Sequence, residues 1–394
     1  MDKIKELLER GVEKVIVKKH LEEALRRRKK LRIKHGLDAT GPKIHIGRAV
    51  SLRKLREFQE LGHKIVLIIG DFTAQIGDAS DKQAMRKPLS LEEIKENMKD
   101  YINQIGKVLD ISKVELHHNS EWLGKLKAQD LLKLSMNFTA QQMIQRRNFK
   151  ERWDKGKNIG LHELDYPLLQ GYDSVAIKAD VEVGGFDQLF NLIAGRKIQK
   201  IYGQKQQDIL TTQMLEGLDG RKMSTSWGNI ITIVDEPDDM YGKLMSMSDN
   251  LIIKYFVLCT DVSLDRIRDM DNSLKNKKVN PRDLKAELAK EIVTIYHSRE
   301  EALKAEKEFN RIFKKKEKPD KIREFKVIKK PFNVLDLLLE SKLTKSKSEA
   351  RRLVEQGGVK IDGEILKDWR NKINVKDKMV IRAGKRRFLR IRLK

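Results

Sequence analysis

The chain has 394 residues, 39% of them hydrophobic, and carries 83 Lys and Arg against 58 Asp and Glu, a net charge of +25. That length points to two or three domains; the apolar content excludes a disordered chain, and the single cysteine, Cys259, excludes an internal disulfide or a cysteine-cluster metal site. The basic excess favours a polyanionic partner, nucleic acid or an anionic membrane surface. No apolar run reaches the ~18 residues of a membrane span, and the opening MDKIKELLERGVEK mixes acids with bases, unlike a signal or transit peptide. The expectation is a cytoplasmic, multidomain protein that binds polyanions.

In chain order, Ile4 to Lys30 read as a basic helical arm ending in RRRKK. Leu31–Leu37 is predicted as the first strand, and Ile46 to Leu61 as a helix with apolar residues at helical spacing, closed by Gly62. Lys64 to Gly70 (KIVLIIG) is a continuous apolar run of the kind buried on both faces of a parallel sheet. Strand, helix and strand in sequence make a βαβ unit, so the fold class expected is α/β, a doubly wound parallel Rossmann-like sheet. Ser90 to Leu109 is predicted helical, with Ser90 and Glu93 as a capping box, and Val114 to His117 as a short strand. Asp130 to Phe149 is predicted helical, and Pro167 is expected in the first turn of the next helix. Asp180 to Val183 and Asp208 to Leu215 read as further strands. Glu236 to about Phe313 is helical throughout and reads as a separate bundle, followed by a charged linker, Lys314 to Lys330. Phe332 to Lys394 reads as a compact basic module, with 18 Lys and Arg against 8 Asp and Glu. The domains expected are 1–235 with an insertion over about 90–150, 236–320, and 332–394.

Three clusters of residues carry chemistry. The first is HGLDATGPKIHIGRAV, residues 35–50. Ligands of a doubly wound sheet bind beyond the carboxyl ends of its strands, where helices begin. His45 and the first-turn amides can donate to phosphate there, Gly47 lets a nucleotide approach the backbone, and Asp38 and Thr40 lie on the entering loop. Alone, HIGR also fits an ordinary helix cap. The second is DYPLLQGYDSVAIKAD, where Tyr166, Gln170 and Asp173 fall at i, i+4 and i+7, one stripe of an otherwise apolar helix. Such a stripe suits a lined pocket: Asp173 for a ligand hydroxyl, Tyr166 and Gln170 with Asp78 for an ammonium. By spacing alone a surface face fits as well. The third is GRKMSTS, residues 220–226, a loop whose Lys222 and hydroxyls suit closure over a triphosphate, with Lys82 and Arg86 of GDASDKQAMR opposite. Taken singly, each of these cations reads as a solvated charge.

Taken together, in the order HIGR, IGDAS, LDYPLLQGYD, VGGFDQLFN and GLDGRKMSTSWGN, these segments resemble the bacterial-type tyrosyl-tRNA synthetases, class I aminoacyl-tRNA synthetases, over essentially the whole chain. NVLDLLLESKLTKSKSEARRLVEQGGVKIDGE resembles the S-four-type RNA-binding module that ends many of them. HIGR stands for the family's HIGH signature and KMSTS for KMSKS. The resemblance implies that Tyr166, Gln170 and Asp78 hold the tyrosine ammonium and Asp173 the phenol. Asp187 and Gln188 would hold the adenylate ribose and the amino-acid end. Gly36, Asp38, Thr40, His45 and Gly47 would line the ATP site, and Lys82, Arg86 and Lys222 would act from mobile loops. It further implies ATP with Mg2+ as substrate, no tightly bound cofactor or structural metal, a helical domain for the anticodon, and a homodimer through the Ser90–Phe149 region. Arg351 and Arg352 would face tRNA.

Three positions depart from the family pattern. Arg48 replaces the second signature His, Thr225 replaces the second signature Lys, and Lys34 stands where many members have Tyr. A guanidinium at Arg48 still donates to phosphate; Thr225 loses an ammonium beside the departing pyrophosphate. Two readings follow: a tyrosine–tRNA ligase, or a catalytically weakened synthetase-like RNA-binding protein, which the degenerate signatures favour and the intact Tyr166–Gln170–Asp173 stripe opposes.

Overall fold

The computed structural model describes residues 2–27, 29–78, 89–223, 228–314, 322–327, 331–344, 346–384 and 387–393. Lys82, Arg86 and Thr225 fall outside them. The chain divides into two compact units, Met1–Ala302 and Leu303–Lys394.

A six-stranded sheet frames the first unit. Its strands are β1 (Val12–Ile16), β2 (Arg32–Leu37), β3 (Lys64–Ile69), β4 (Glu115–His118), β5 (Val181–Gly185) and β6 (Asp208–Thr212), in the spatial order β1-β6-β5-β2-β3-β4. From β2 onward every pairing is parallel. The last five residues of β3 are buried, as its unbroken apolar run requires. The chain winds from β2 to β3 and β4 on one side, and from β5 to β6 on the other. The order therefore reverses between β2 and β5, and the carboxyl ends of those two strands open a crevice.

The N-terminal arm is not continuous helix. Helices Lys3–Glu9 and Lys18–Arg26 flank β1, which pairs antiparallel with β6. Gly11 at φ +63° ends the first helix, and VEKVI carries the β-branched residues that cover an edge otherwise left open. Pro167 is likewise displaced from its expected place. The helix starts at Leu161, so Pro167 stands at its seventh residue. The early start is held by Glu163, which accepts from the Gly160 amide at 2.8 Å and pairs with Arg152 at 2.7 Å. Both side chains of that pair are buried.

The two long helices expected in the 90–150 region are broken. Leu91–Met98, capped by Ser90 and Glu93 as expected, is followed by Tyr101–Ile105. Ala128–Ser135, Ala140–Ile144 and Arg147–Asp154 replace the second, because Thr139 caps a new start by accepting from the Gln142 amide.

Helix Ile46–Glu60 packs on the sheet and against Ile252–Cys259. Helices Leu161–Ala176 and Leu189–Ile201 lie side by side, and the approach depends on a glycine pair: a Cβ on Gly171 would stand 3.2 Å from the Gly195 Cα. Helices Pro237–Met245, Ile252–Cys259, Leu264–Lys275 and Pro281–Tyr296 belong to this same unit. Arg10 stitches them to the N-terminal segment, donating to the carbonyls of Phe256, Val257, Thr260 and Val262 at 2.6–3.3 Å, where a cation satisfies the end of a helix.

In the second unit, β7 (Arg323–Val327), β8 (Pro331–Asn333), β9 (Val359–Ile361), β10 (Glu364–Ile365), β11 (Lys372–Asn374), β12 (Val380–Ala383) and β13 (Arg387–Leu393) make a five-stranded sheet, β10-β9-β12-β13-β7, and a β8–β11 pair. Part of the expected linker is thus strand β7, parallel to β13. Helices Val334–Glu340 and Lys347–Glu355 pack through Val334, Leu337, Leu338, Ala350 and Val354 onto Ile381, Leu389 and Ile391 of that sheet.

Candidate active site

The crevice collects the first two clusters. His45 caps helix Ile46–Glu60, its Nδ1 accepting from the Arg48 amide at 3.3 Å. The Arg48 guanidinium turns back to the preceding loop, donating to Thr40 Oγ1 at 2.7 Å, the Asp38 carbonyl at 3.2 Å and the Tyr101 hydroxyl at 3.0 Å. The third cluster is brought to the same place. Ile46 donates to the Ile231 carbonyl at 2.9 Å and Ile233 to that of Ile44 at 3.0 Å, so the chain leaving the GRKMSTS loop is stitched beside HIGR. A Cβ on Gly47 would stand 2.8 Å from the sulfur of Met223, which explains why this position carries no side chain.

Helix Leu161–Ala176 lays its polar stripe over the crevice. Tyr166 donates to Asp38 Oδ2 at 2.9 Å, and Asp38 also accepts from Thr73 at 2.9 Å. Burial raises the Asp38 carboxyl to about 6 against the pull of those two bonds. Burial also raises the Tyr166 phenol, and the Asp38 charge adds to the effect. Asp173 is 2% exposed. It accepts from Trp122 Nε1 at 2.7 Å and from Asn119 Nδ2 at 3.4 Å, and burial pushes it up to about 7 although Lys34 opposes the shift.

Lys34 lies beneath the stripe, fully buried. Its ammonium donates to the Gln170 carbonyl at 2.8 Å and Ser174 Oγ at 2.7 Å, and pairs with Glu182 at 2.8 Å. Toward the other end, Gln188 Nε2 donates to Asp78 Oδ2 at 2.6 Å, with Arg146 at 3.9 Å from the same carboxylate. Asn191 joins Gln188 to Gln170. Asp187 sits over Gly185 at the end of β5, and Gly36 is exposed near the end of β2.

The chain that builds this crevice and its polar stripe is matched by two family models. Residues 26–314 match the class I tRNA synthetases (W and Y), and residues 314–391 match a tyrosine–tRNA ligase SYY-like C-terminal domain. A tyrosine–tRNA ligase of Thermotoga maritima is 48% identical over 98% of this chain and 96% of its own length. One from Carboxydothermus hydrogenoformans is 46% identical over 98% and 97%. The chain belongs to the tyrosine–tRNA ligases. Among solved structures, the tyrosyl-tRNA synthetase of Archaeoglobus fulgidus complexed with L-tyrosine superposes with a TM-score of 0.62 at 25% identity, over 78% of this chain and 100% of that one. A truncated mitochondrial tyrosyl-tRNA synthetase of Aspergillus nidulans shares the fold, with a TM-score of 0.65 at 21% identity.

In this ligase the neck of the signature loop is clamped. Asn229 Nδ2 donates to the Lys222 carbonyl at 3.0 Å and to Asp219 at 2.9 Å, leaving Lys222 on an exposed segment. Arg351 and Arg352 lie in the second unit, on helix Lys347–Glu355. Arg351 donates to Glu355 at 2.8 Å and stacks on Trp369, as does Arg370.

Reading the sequence missed Asn119, Trp122, Arg146, Glu182 and Asn191. Asn119 had a usable signal, because it lies just past the short strand expected at Val114 to His117, and ligands of such a sheet gather at the carboxyl ends of its strands. Asn191 had one too, three residues after Gln188 on the same stretch of VGGFDQLFN; Trp122, Arg146 and Glu182 meet their partners in the site from distant parts of the chain.

Proposed function

We propose that this chain activates L-tyrosine with ATP and then transfers the tyrosyl group to the 3′-terminal adenosine of tRNA(Tyr). The observation that carries the reading is the buried Asp173, held by Trp122 and Asn119 at one end of a polar stripe whose other end bonds Asp38, on the loop that Arg48 of HIGR holds. A carboxylate so placed accepts from a phenol hydroxyl. Tyr166, Gln170, Asp78 and Gln188 form the acceptor-rich end that suits an ammonium. Asp38, Thr40, His45, Gly47, Gly36 and Asp187 line the nucleotide side, at a helix start that favours phosphate.

In the first step a tyrosine carboxylate oxygen bonds to the α-phosphorus, and the bond from that phosphorus to the β-phosphate bridging oxygen breaks, releasing pyrophosphate. In the second, a ribose hydroxyl of tRNA bonds to the tyrosyl carbonyl carbon, its proton is lost and AMP leaves. Neither step needs a covalent enzyme nucleophile. Positioning and stabilised charge supply the acceleration. Arg48 holds the Asp38–Thr40 loop, while Lys222, Lys82, Arg86 and Thr225 are assigned to the triphosphate from their place in the sequence. Mg2+ is assigned to ATP, whose phosphate charge it would neutralise when bound, and no step is routed through it.

The ligase is proposed to work in the cytoplasm, where ATP and tRNA are, as a homodimer. Supporting the dimer, Leu132 and Met136 of the inserted region are 61% and 84% exposed, and Trp153 just beyond it 63%, large apolar side chains that a partner subunit would cover. Arg351 and Arg352 are assigned to tRNA. The test is exchange of labelled pyrophosphate into ATP, which should require tyrosine; exchange equally supported by phenylalanine would overturn the pocket assignment.

A further inference from the structure

Three side-chain amides run through the site between two carboxylates. At one end Glu182, 1% exposed, accepts from Gln170 Nε2 at 3.4 Å. At the other, Asp78 accepts from Gln188 Nε2 at 2.6 Å. Carboxylates only accept, so each end draws the NH2 group of its glutamine toward it. Both glutamine carbonyls then point inward. They meet at Asn191, whose Nδ2 donates to Gln170 Oε1 and to Gln188 Oε1, each at 3.0 Å. Turning Asn191 over would set three carbonyl oxygens against one another. The orientation is kept even though Asn191 Oδ1 is left buried without a partner among the described residues.

We infer that Asn191 is a positioning residue for recognition of the substrate's amino group. It acts by fixing which atom of Gln170 and of Gln188 is available. This rests on the tyrosine reading above. A carbonyl oxygen has two lone pairs; Asn191 occupies one on Gln170 and leaves the other to accept from an ammonium. With Asn191 gone, only the 3.4 Å bond to Glu182 still orients Gln170, and an amide that turns presents its NH2 to the ammonium, donor against donor. Lys34 secures the Glu182 end, since its ammonium lies 2.8 Å from that carboxylate and also donates to Ser174, which donates in turn to Glu182.

The experiment compares binding of L-tyrosine with 3-(4-hydroxyphenyl)propanoate, which is tyrosine without its amino group. Asn191→Leu keeps the shape and removes the donor. It should weaken L-tyrosine by about ten- to a hundredfold, the worth of one hydrogen bond to a charged group, and leave the des-amino compound unchanged. In pyrophosphate exchange the loss should fall on KM rather than kcat. Asn191→Ser, which restores one of two donations, should lie between. It also decides the matter if the Leu variant does not fold. Equal losses for both ligands, or no loss for L-tyrosine, would overturn the inference. Wild-type protein that does not prefer L-tyrosine to the des-amino compound would instead overturn the tyrosine reading itself.

Discussion

Asp173 is expected to be a residue at which recognition costs stability. Burial raises its carboxyl from 3.8 to about 7. Held ionised above pH 7, it therefore destabilises the fold by at most about 4 kcal/mol, at roughly 1.4 kcal/mol per tenfold change in proton affinity. The folded state keeps its proton between pH 4 and 7 while the unfolded state has lost it, so stability falls as pH rises through that window and then levels. Asp173→Asn removes the titration. The new amide keeps an acceptor for Trp122 but sets an NH2 against Asn119, which lowers the gain to about 1–3 kcal/mol. Urea unfolding at a series of pH values should show the variant more stable at pH 8, with the advantage shrinking toward pH 4. The same variant should lose much of its preference for tyrosine over phenylalanine. Sites that bind a hydroxyl reject the analogue lacking it by about 10⁴–10⁵, a range drawn from this enzyme class rather than from this chain's geometry. A stability difference that does not vary with pH, or a variant less stable at pH 8, would refute the reasoning.

The remaining expectations are direct. Wild-type KM for tyrosine should rise about tenfold per unit as pH falls below about 7, because Asp173 takes up a proton; a KM that is flat from pH 8 to pH 5.5 contradicts this. Glu163→Gln strands the buried Arg152 and should cost about 3–5 kcal/mol in denaturant unfolding. Thr225→Lys should speed tyrosyl-adenylate formation in single-turnover measurements with little change in tyrosine affinity. Met136→Glu should shift the sedimenting species from dimer to monomer. Deleting Phe332–Lys394 should leave tyrosine activation nearly intact and flatten the salt dependence of tRNA binding, as fewer counterions are released.

What was legible in the sequence is what local chemistry decides. The apolar run of β3, the helix after HIGR and the i, i+4, i+7 stripe all stand where their periodicity puts them. β1 was not legible as a strand, because VEKVI is short and set among charged helical residues; its partner β6 lies almost 200 residues away. Pro167 misled for a similar reason, since the pair that extends the helix past it joins Arg152 to Glu163 across a turn. Lys34 showed in the sequence only as a Lys where many family members have Tyr. Its partner Glu182 lies on the neighbouring strand β5, and only the parallel register of β2 with β5 places the two side by side.

The most direct test of the central claim supplies the purified chain with ATP, Mg2+, tRNA(Tyr) and each amino acid in turn, and measures aminoacyl ester at the tRNA 3′ end. Tyrosine alone should accumulate there, with a rate that Asp173→Ala abolishes. An RNA that binds tightly yet stays uncharged with every amino acid would contradict the account, and would favour the weakened RNA-binding reading of HIGR and KMSTS.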